Sequence, residues 1–236
     1  MTTNAERRKA ELLQTVEQRV AERCPPDEQE AITTFMRWFF ARVAADDLTS
    51  RPAADLYGAA LSHWHLARKH RHNQHRVHVY NPEPEHHGWE STHTIVQVVC
   101  PDRPFLVDSL AMALNRQGLT VHLIIHPIIP LRRNAQGTIE AISQDQGSQA
   151  EACMHFEVDR QSSPERLQTI EQDVTSVLEN VDLVVTDWKP MHQRMEEARR
   201  ELETRGSAGA DRDESLAFLE WLSADHFTFL ERKSVV

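Results

Sequence analysis

The chain has 236 residues, 40% of them apolar and 26% charged, a balance that supports one ample hydrophobic core or two modest ones and excludes a disordered or fibrous protein. Its net charge of -10, from 26 basic and 36 acidic side chains, disfavours a nucleic-acid or anionic-membrane partner. No window reaches the roughly 18 uninterrupted apolar residues of a membrane span, and residues 1–20 are charged throughout, so a soluble cytoplasmic protein is expected, with Cys24, Cys100 and Cys153 as reduced thiols.

Residues 4–23 space Leu12, Leu13, Val16 and Val20 three to four apart, which predicts a helix with one narrow apolar stripe, stopped by Pro25 and Pro26. Asp27 with Glu30 has the spacing of a capping box, and Ile32, Phe35, Met36, Phe39, Phe40 and Val43 then form a broad apolar face that belongs in a core. Ser50 and Pro52 open a third helix carrying Leu56, Tyr57, Ala60, Leu61, Trp64 and Ala67. At its end stands a basic patch, Arg68 to Arg76, read as cations offsetting the negative end of the helix dipole, with anion binding as the alternative. Nine of the fourteen histidines lie between His63 and His93, which leaves a His-based metal-binding protein as a further alternative. Two histidines two positions apart on a helix, such as His63 and His65, point about 200° from each other and cannot share a metal there without distortion.

The β-branched run Thr94 to Cys100 predicts a buried central strand. Asp102 is placed to cap the next helix, which carries Leu106, Leu110, Ala113 and Leu114 and stops at Gly118. Residues 119–130 alternate with period two, and Pro127 and Pro130 assign that strand to a sheet edge. Residues 134–137 turn the chain back into a hairpin extension over 138–142. A strand over 152–158, a helix opened by Ser162, Ser163, Pro164 and Glu165, and a closing strand at 183–185 complete the order β-α-β-β-α-β. Two such units predict a ferredoxin-like antiparallel sheet with strand order 4-1-3-2 under two helices. The resulting expectation is an α+β chain: a helical region over 1–78, a ferredoxin-fold domain over 79–189, and helices over 190–236 that begin a further domain.

The chemistry excluded is as specific as the fold. None of the seven glycines forms G-x-G-x-x-G and no Gly-Lys-Ser/Thr occurs, so no nucleotide-binding fingerprint is present. The four lysines, Lys9, Lys69, Lys189 and Lys233, avoid the strand ends where a catalytic amine would sit, and no catalytic residue is assigned.

The turn Pro101 to Leu110, ending in Arg116-Gln117-Gly118-Leu119, resembles the first loop and helix of an ACT domain, a small-molecule-sensing regulatory module. Five segments in order, 55–64, 80–82, Trp89 to Thr94, 104–109 and 122–127, together resemble the N-terminal region of the large bacterial NAD-specific glutamate dehydrogenases. Asp187-Trp188 and Asp225 to Leu230 extend the likeness. The resemblance implies a noncatalytic regulatory or assembly module, a fragment of an enzyme that oxidises L-glutamate to 2-oxoglutarate and ammonium with NAD. It implies no cofactor in this segment, and the rest of the enzyme and further copies of the chain as partners. An amino-acid sensor is the alternative, its ligand site formed by Asp102, Arg103, Pro104 and Phe105 with His122 and His126, four apart on one strand. Phe105 stands where ligand-binding ACT domains carry glycine, and is expected to pack under its loop.

Overall fold

The computed structural model describes residues 3–205 and 209–223. In chain order the elements are α1 (Asn4–Arg23), α2 (Gln29–Phe40), α3 (Ala45–Thr49), α4 (Ala53–Ala67), β1 (Arg76–Tyr80), α5 (Pro84–His87) and β2 (Thr94–Pro101). There follow α6 (Leu106–Arg116), β3 (Val121–Ile125), β4 (Ile128–Arg133), β5 (Ile139–Ile142), β6 (Gln149–Val158), α7 (Pro164–Arg205) and α8 (Ala210–Trp221). The fold is α+β: helices, an antiparallel sheet interleaved with helices, then C-terminal helices. Two compact units divide the chain, residues 1–177 and residues 178–236.

In the first unit six strands form one antiparallel sheet in the order β1-β2-β6-β4-β5, with β3 also paired to β6. Every residue of β2 is buried, so both faces of the sheet are covered. On one face Val99, Leu123, Ile125, Ile129, Leu131 and Cys153 share a core with Val16 and Val20 of α1, Phe35, Met36, Phe39 and Phe40 of α2, and Ala60, Trp64 and Ala67 of α4. Phe35, Phe39 and Phe40 are fully buried, and each is worth about 1.5–3 kcal/mol in removed apolar surface. By strand alternation Val96, Val98, Met154 and Phe156 face the other way. That side holds α6, which packs on β3, and the start of α7. There the Glu171 carboxylate accepts the Val79 N–H at 3.0 Å and the Arg166 guanidinium donates to the Gln117 carbonyl at 2.8 Å. The second unit holds the rest of α7 together with α8, where Arg212 donates to the carbonyls of Leu202 and Glu203 and the Ser223 hydroxyl to Glu196.

Several local expectations are corrected. Residues 183–185 are helical rather than a closing strand. The apolar stripe of α7 runs on past Val181 with only Asp182 before Leu183, which leaves no turn residue at which the chain could reverse. The sheet position beside β2 is filled from the opposite direction by β1, paired antiparallel from Arg76↔Val99 to Tyr80↔Ile95. Pro190, expected to start a new helix, lies inside α7.

The strand over 119–130 is broken at Pro127 into β3 and β4, which pair with successive stretches of β6. The Pro127 carbonyl still accepts the Cys153 N–H at 3.0 Å. The other flank of β4 is taken by β5, through the expected hairpin with Gly137 at φ 82°, so of these two strands β3 alone keeps a free edge. Asp102 does not cap α6: its N–H donates to the Ala150 carbonyl, and the cap position belongs to Phe105. The segment Asp225 to Leu230 lies outside the described residues.

Candidate functional site

Trp89 and the loop after it, the end of α2, the turn between α3 and α4, the start of α4 and the strands β3 and β6 line a cleft of about 430 Å³. Its lining mixes apolar Phe40, Leu56, Leu123 and Ile125 with polar Arg51, Asp55, Glu90, His93, His155 and Glu157, and on the sheet Leu123 stands beside Glu157 and Ile125 beside His155. Trp89 lies hard against α4, where a Cβ on Gly58 would come within 2.3 Å of the indole Cγ, so only glycine admits the ring. The indole packs there with Ala59, Tyr80 and Ile95.

Glu157 is the electrostatic centre of the polar lining. It projects from β6 onto the helix-covered face and is 2% exposed. Arg51, immediately before Pro52 and α4, grips both carboxylate oxygens at 2.5 and 2.8 Å and donates through Nε to the Asp47 carbonyl at 3.1 Å. His93 Nδ1 lies 3.5 Å and His155 Nε2 3.7 Å from the same carboxylate. Burial acts to raise the Glu157 pKa, but the bonds from His155 and Arg51 outweigh it and hold the group down at about 2. The His93 pKa is lowered, by burial first, with Glu157 opposing and His122 and Arg51 adding to the fall.

A second buried carboxylate explains the basic patch. Glu151, fully buried on β6, takes both Arg133 bonds at 2.7 Å, His70 Nε2 at 3.0 Å and His72 Nδ1 at 3.2 Å. Burial raises its pKa, and the bonds from Arg133, His70 and His72 overcome that and lower it to about 2. Arg133 also donates to the carbonyls of Ala67 and Gly137, so its guanidinium ties the end of α4 to the β4–β5 hairpin. Part of the patch therefore serves an internal acid. His63 is a core residue, fully buried beside Phe35, Phe39 and His155, and burial and then His155 push its pKa down to about 3. Among the described residues no group of three or more His, Cys, Asp or Glu is arranged to hold a metal ion.

The six residues expected at a ligand site are placed as follows. None of Asp102, Arg103, Pro104, Phe105, His122 and His126 lines the cleft. Phe105 adopts φ 69° and is 55% exposed, so it does not pack under the loop: the left-handed backbone that starts α6 turns its ring outward. Arg103 Nη1 donates to the Asp102 carbonyl at 3.3 Å, and Pro104 is exposed. His126 follows β3, half-buried, its pKa lowered by burial while the nearby Asp102 charge opposes the loss of its proton. His122 donates to Asp159 at 2.7 Å and its ring centroid lies 4.5 Å from that of His93, which links it to the cleft from outside. The structure thus brings Asp102 near His126 and parts both from His122. The residues missed are Arg51, His155 and Glu157. The one signal for them is an acid, Glu157, inside a strand of mostly apolar residues; Arg51 lies in a short polar turn with no local mark of its partner.

NAD does not fit these residues. Among the described residues the cleft's carboxylates Asp55 and Glu90 have no hydrogen-bond or ion-pair partner and would oppose a pyrophosphate, and no glycine-rich turn opens a helix toward the cleft.

Residues 35–174, which include every residue of the cleft, match the family described as "Glutamate dehydrogenase, ACT1 domain". The NAD-specific glutamate dehydrogenase of Halomonas elongata is 38% identical over 232 residues, 95% of this chain and 14% of that protein. The enzyme of the same description from Pseudomonas aeruginosa is 39% identical over 208 residues, 84% of this chain and 13% of that protein. The chain thus spans about one seventh of the length of these relatives. With more than half of its residues inside the match, the chain belongs to the ACT1-domain family of glutamate dehydrogenases.

Proposed function

We propose that this chain is a noncatalytic regulatory and assembly module of a cytoplasmic NAD-dependent glutamate dehydrogenase, whose intact form oxidises L-glutamate to 2-oxoglutarate and ammonium. The observation that carries this reading is that the buried ionic groups are spent on one another. Arg51 with Glu157 and Arg133 with Glu151 form two-pronged pairs, the first holding the turn before α4 to the sheet and the second joining β4 to β6. Catalysis instead needs a base or nucleophile left poised toward a substrate. Assembly is supported by the free edge of β3, with Ile124 at the surface, and by exposed Phe105 just before, and Met112 on, the adjoining α6. The occupant assigned to this edge is the remainder of the same enzyme, since about six sevenths of the relatives' length lies outside the match.

The test is sedimentation of the chain mixed with the separately expressed remainder of the dehydrogenase. Co-sedimentation that Ile124→Lys weakens at least tenfold supports the reading. No association, in a chain that is also strictly monomeric alone, overturns the assembly half of it. The cleft favours a second reading, amino-acid sensing, in which the module reports a ligand to the enzyme.

A further inference from the structure

We propose that a second, smaller pocket, between the loop at 71–72 and the β4–β5 hairpin and lined by Arg71, His72, Arg133, Asn134 and Gln149, binds a phosphate-type oxyanion. It shares no residue with the cleft and does not depend on the sensing reading. Its volume of about 270 Å³ falls below the roughly 300–1,000 Å³ of pockets for drug-sized ligands and suits an ion of a few heavy atoms.

The fold makes this pocket by joining two basic stretches of sequence. The patch from Arg68 to Arg76 meets the hairpin that carries Arg132 and Arg133: His70 donates its N–H to the Gly137 carbonyl at 3.0 Å, and Ile139 donates to the Arg68 carbonyl at 3.1 Å. A Cβ on Gly137 would stand 2.5 Å from the His70 carbonyl oxygen, so glycine is what permits the approach. Of the groups gathered here, Arg133, His70 and His72 converge on the single charge of Glu151, and Arg132 lies 3.9 Å from Glu140. Arg71 is exposed, and among the described residues its guanidinium has no hydrogen-bond or ion-pair partner. No Asp or Glu lines the pocket, so Arg71 is the uncompensated charge of the lining in a chain of net charge -10. That sign selects an anion.

Further donors stand beside it. A guanidinium has five N–H groups, and Arg133 spends four of them on Glu151 and on the carbonyls of Ala67 and Gly137, which fixes the cation and leaves one N–H on Nη2. The Asn134 Oδ1 accepts the N–H groups of Gln136 at 3.0 Å and Thr138 at 2.9 Å, which leaves its NH₂ without a hydrogen-bond partner among the described residues. Guanidinium forks with amide donors match the several oxygens of a phosphate group, whereas an ammonium ligand finds no acid in this lining.

Calorimetry on the 236-residue chain at low ionic strength, with inorganic phosphate as the probe, tests this. Saturable binding is expected, weakened at least about tenfold by Arg71→Ala and likewise by Gln149→Glu, which sets an acid in the lining. Because Arg71 is exposed, Arg71→Ala should leave the melting temperature within about 2 °C. Arg8→Ala removes the same charge from the exposed surface of α1 and should bind phosphate as the unmodified chain does. Glycerol 3-phosphate, run in parallel, tells the sources apart: tighter binding than inorganic phosphate assigns the site to a phosphate ester, weaker binding to the free ion, and either supports it. Equal losses in Arg8→Ala and Arg71→Ala overturn the site in favour of a general charge effect. No saturable binding of either probe, or tighter binding of malonate than of phosphate, overturns the proposal.

Discussion

His63 sits in an aromatic cage with His155 beside it, and its pKa falls to about 3 from an ordinary 6.5. Between those values the unfolded chain takes up a proton that the folded chain refuses, so the folded state loses stability as pH falls through this window. The slope from one such group is at most about 1.4 kcal/mol per pH unit. Glu151 and Glu157, lowered from 4.5 to about 2, contribute stability that is present above pH 4.5 and lost as pH drops toward 2. The interval from 6.5 to 4.5 therefore isolates the histidines. His63→Leu should reduce the difference in unfolding free energy between pH 7 and pH 5 by about 1–2 kcal/mol in urea titrations; an unchanged difference would contradict the buried neutral ring. Phe105 makes the opposite point about exposure. With φ at 69° and the ring in solvent, Phe105→Ala should change stability by less than about 1 kcal/mol, whereas a fully buried ring would cost about 3–5. Phe105→Gly should raise the melting temperature, because the left-handed penalty of about 1–2 kcal/mol exceeds the entropic cost of glycine, about 0.5–1.

At the scale of elements, the strongly periodic segments were readable and the short polar ones were not. The helices over 4–23, 29–40 and 53–67, the strands 94–101 and 149–158, and the hairpin at Gly137 all follow from spacing, proline and glycine. The strand β1 was missed although Val77 and Val79 alternate, since Arg76 and His78 made the run look like a continuation of the basic patch. Broad apolar content hid the reverse case, as the valines at 184 and 185 prolong a helix in which only tertiary pairing could have made a strand. One contact between elements gives a direct check. Gly58→Ala places a methyl group inside the Trp89 indole, so the ring must shift into the cleft at a cost of about 1–3 kcal/mol. Thermal melting should show that loss, and nuclear magnetic resonance should show a displaced Trp89 indole N–H signal; an unperturbed indole would contradict the tight seat. Arg51→Ala should cost more, toward the lower end of about 3–5 kcal/mol, since it strands the buried Glu157 charge while Arg51 itself is partly exposed.

For the molecule as a whole, family and fold class were legible from ordered segments, and the cleft was not. Its wall runs from Phe40 to Glu157, so no local window contains both the cation and the acid that pairs with it. Residues 89–93 and 55–64 carried the resemblance without revealing that they meet. The acidic net charge, the self-paired buried ions and the poor fit to NAD support the proposal of a module that informs or holds a dehydrogenase. The most direct test is glutamate-dependent NADH formation by the purified 236-residue chain at about 10 μM, followed at 340 nm with saturating L-glutamate and NAD. No turnover above the protein-free blank is predicted. A rate proportional to chain concentration, and abolished in a Glu157→Gln protein that still folds, would contradict the account.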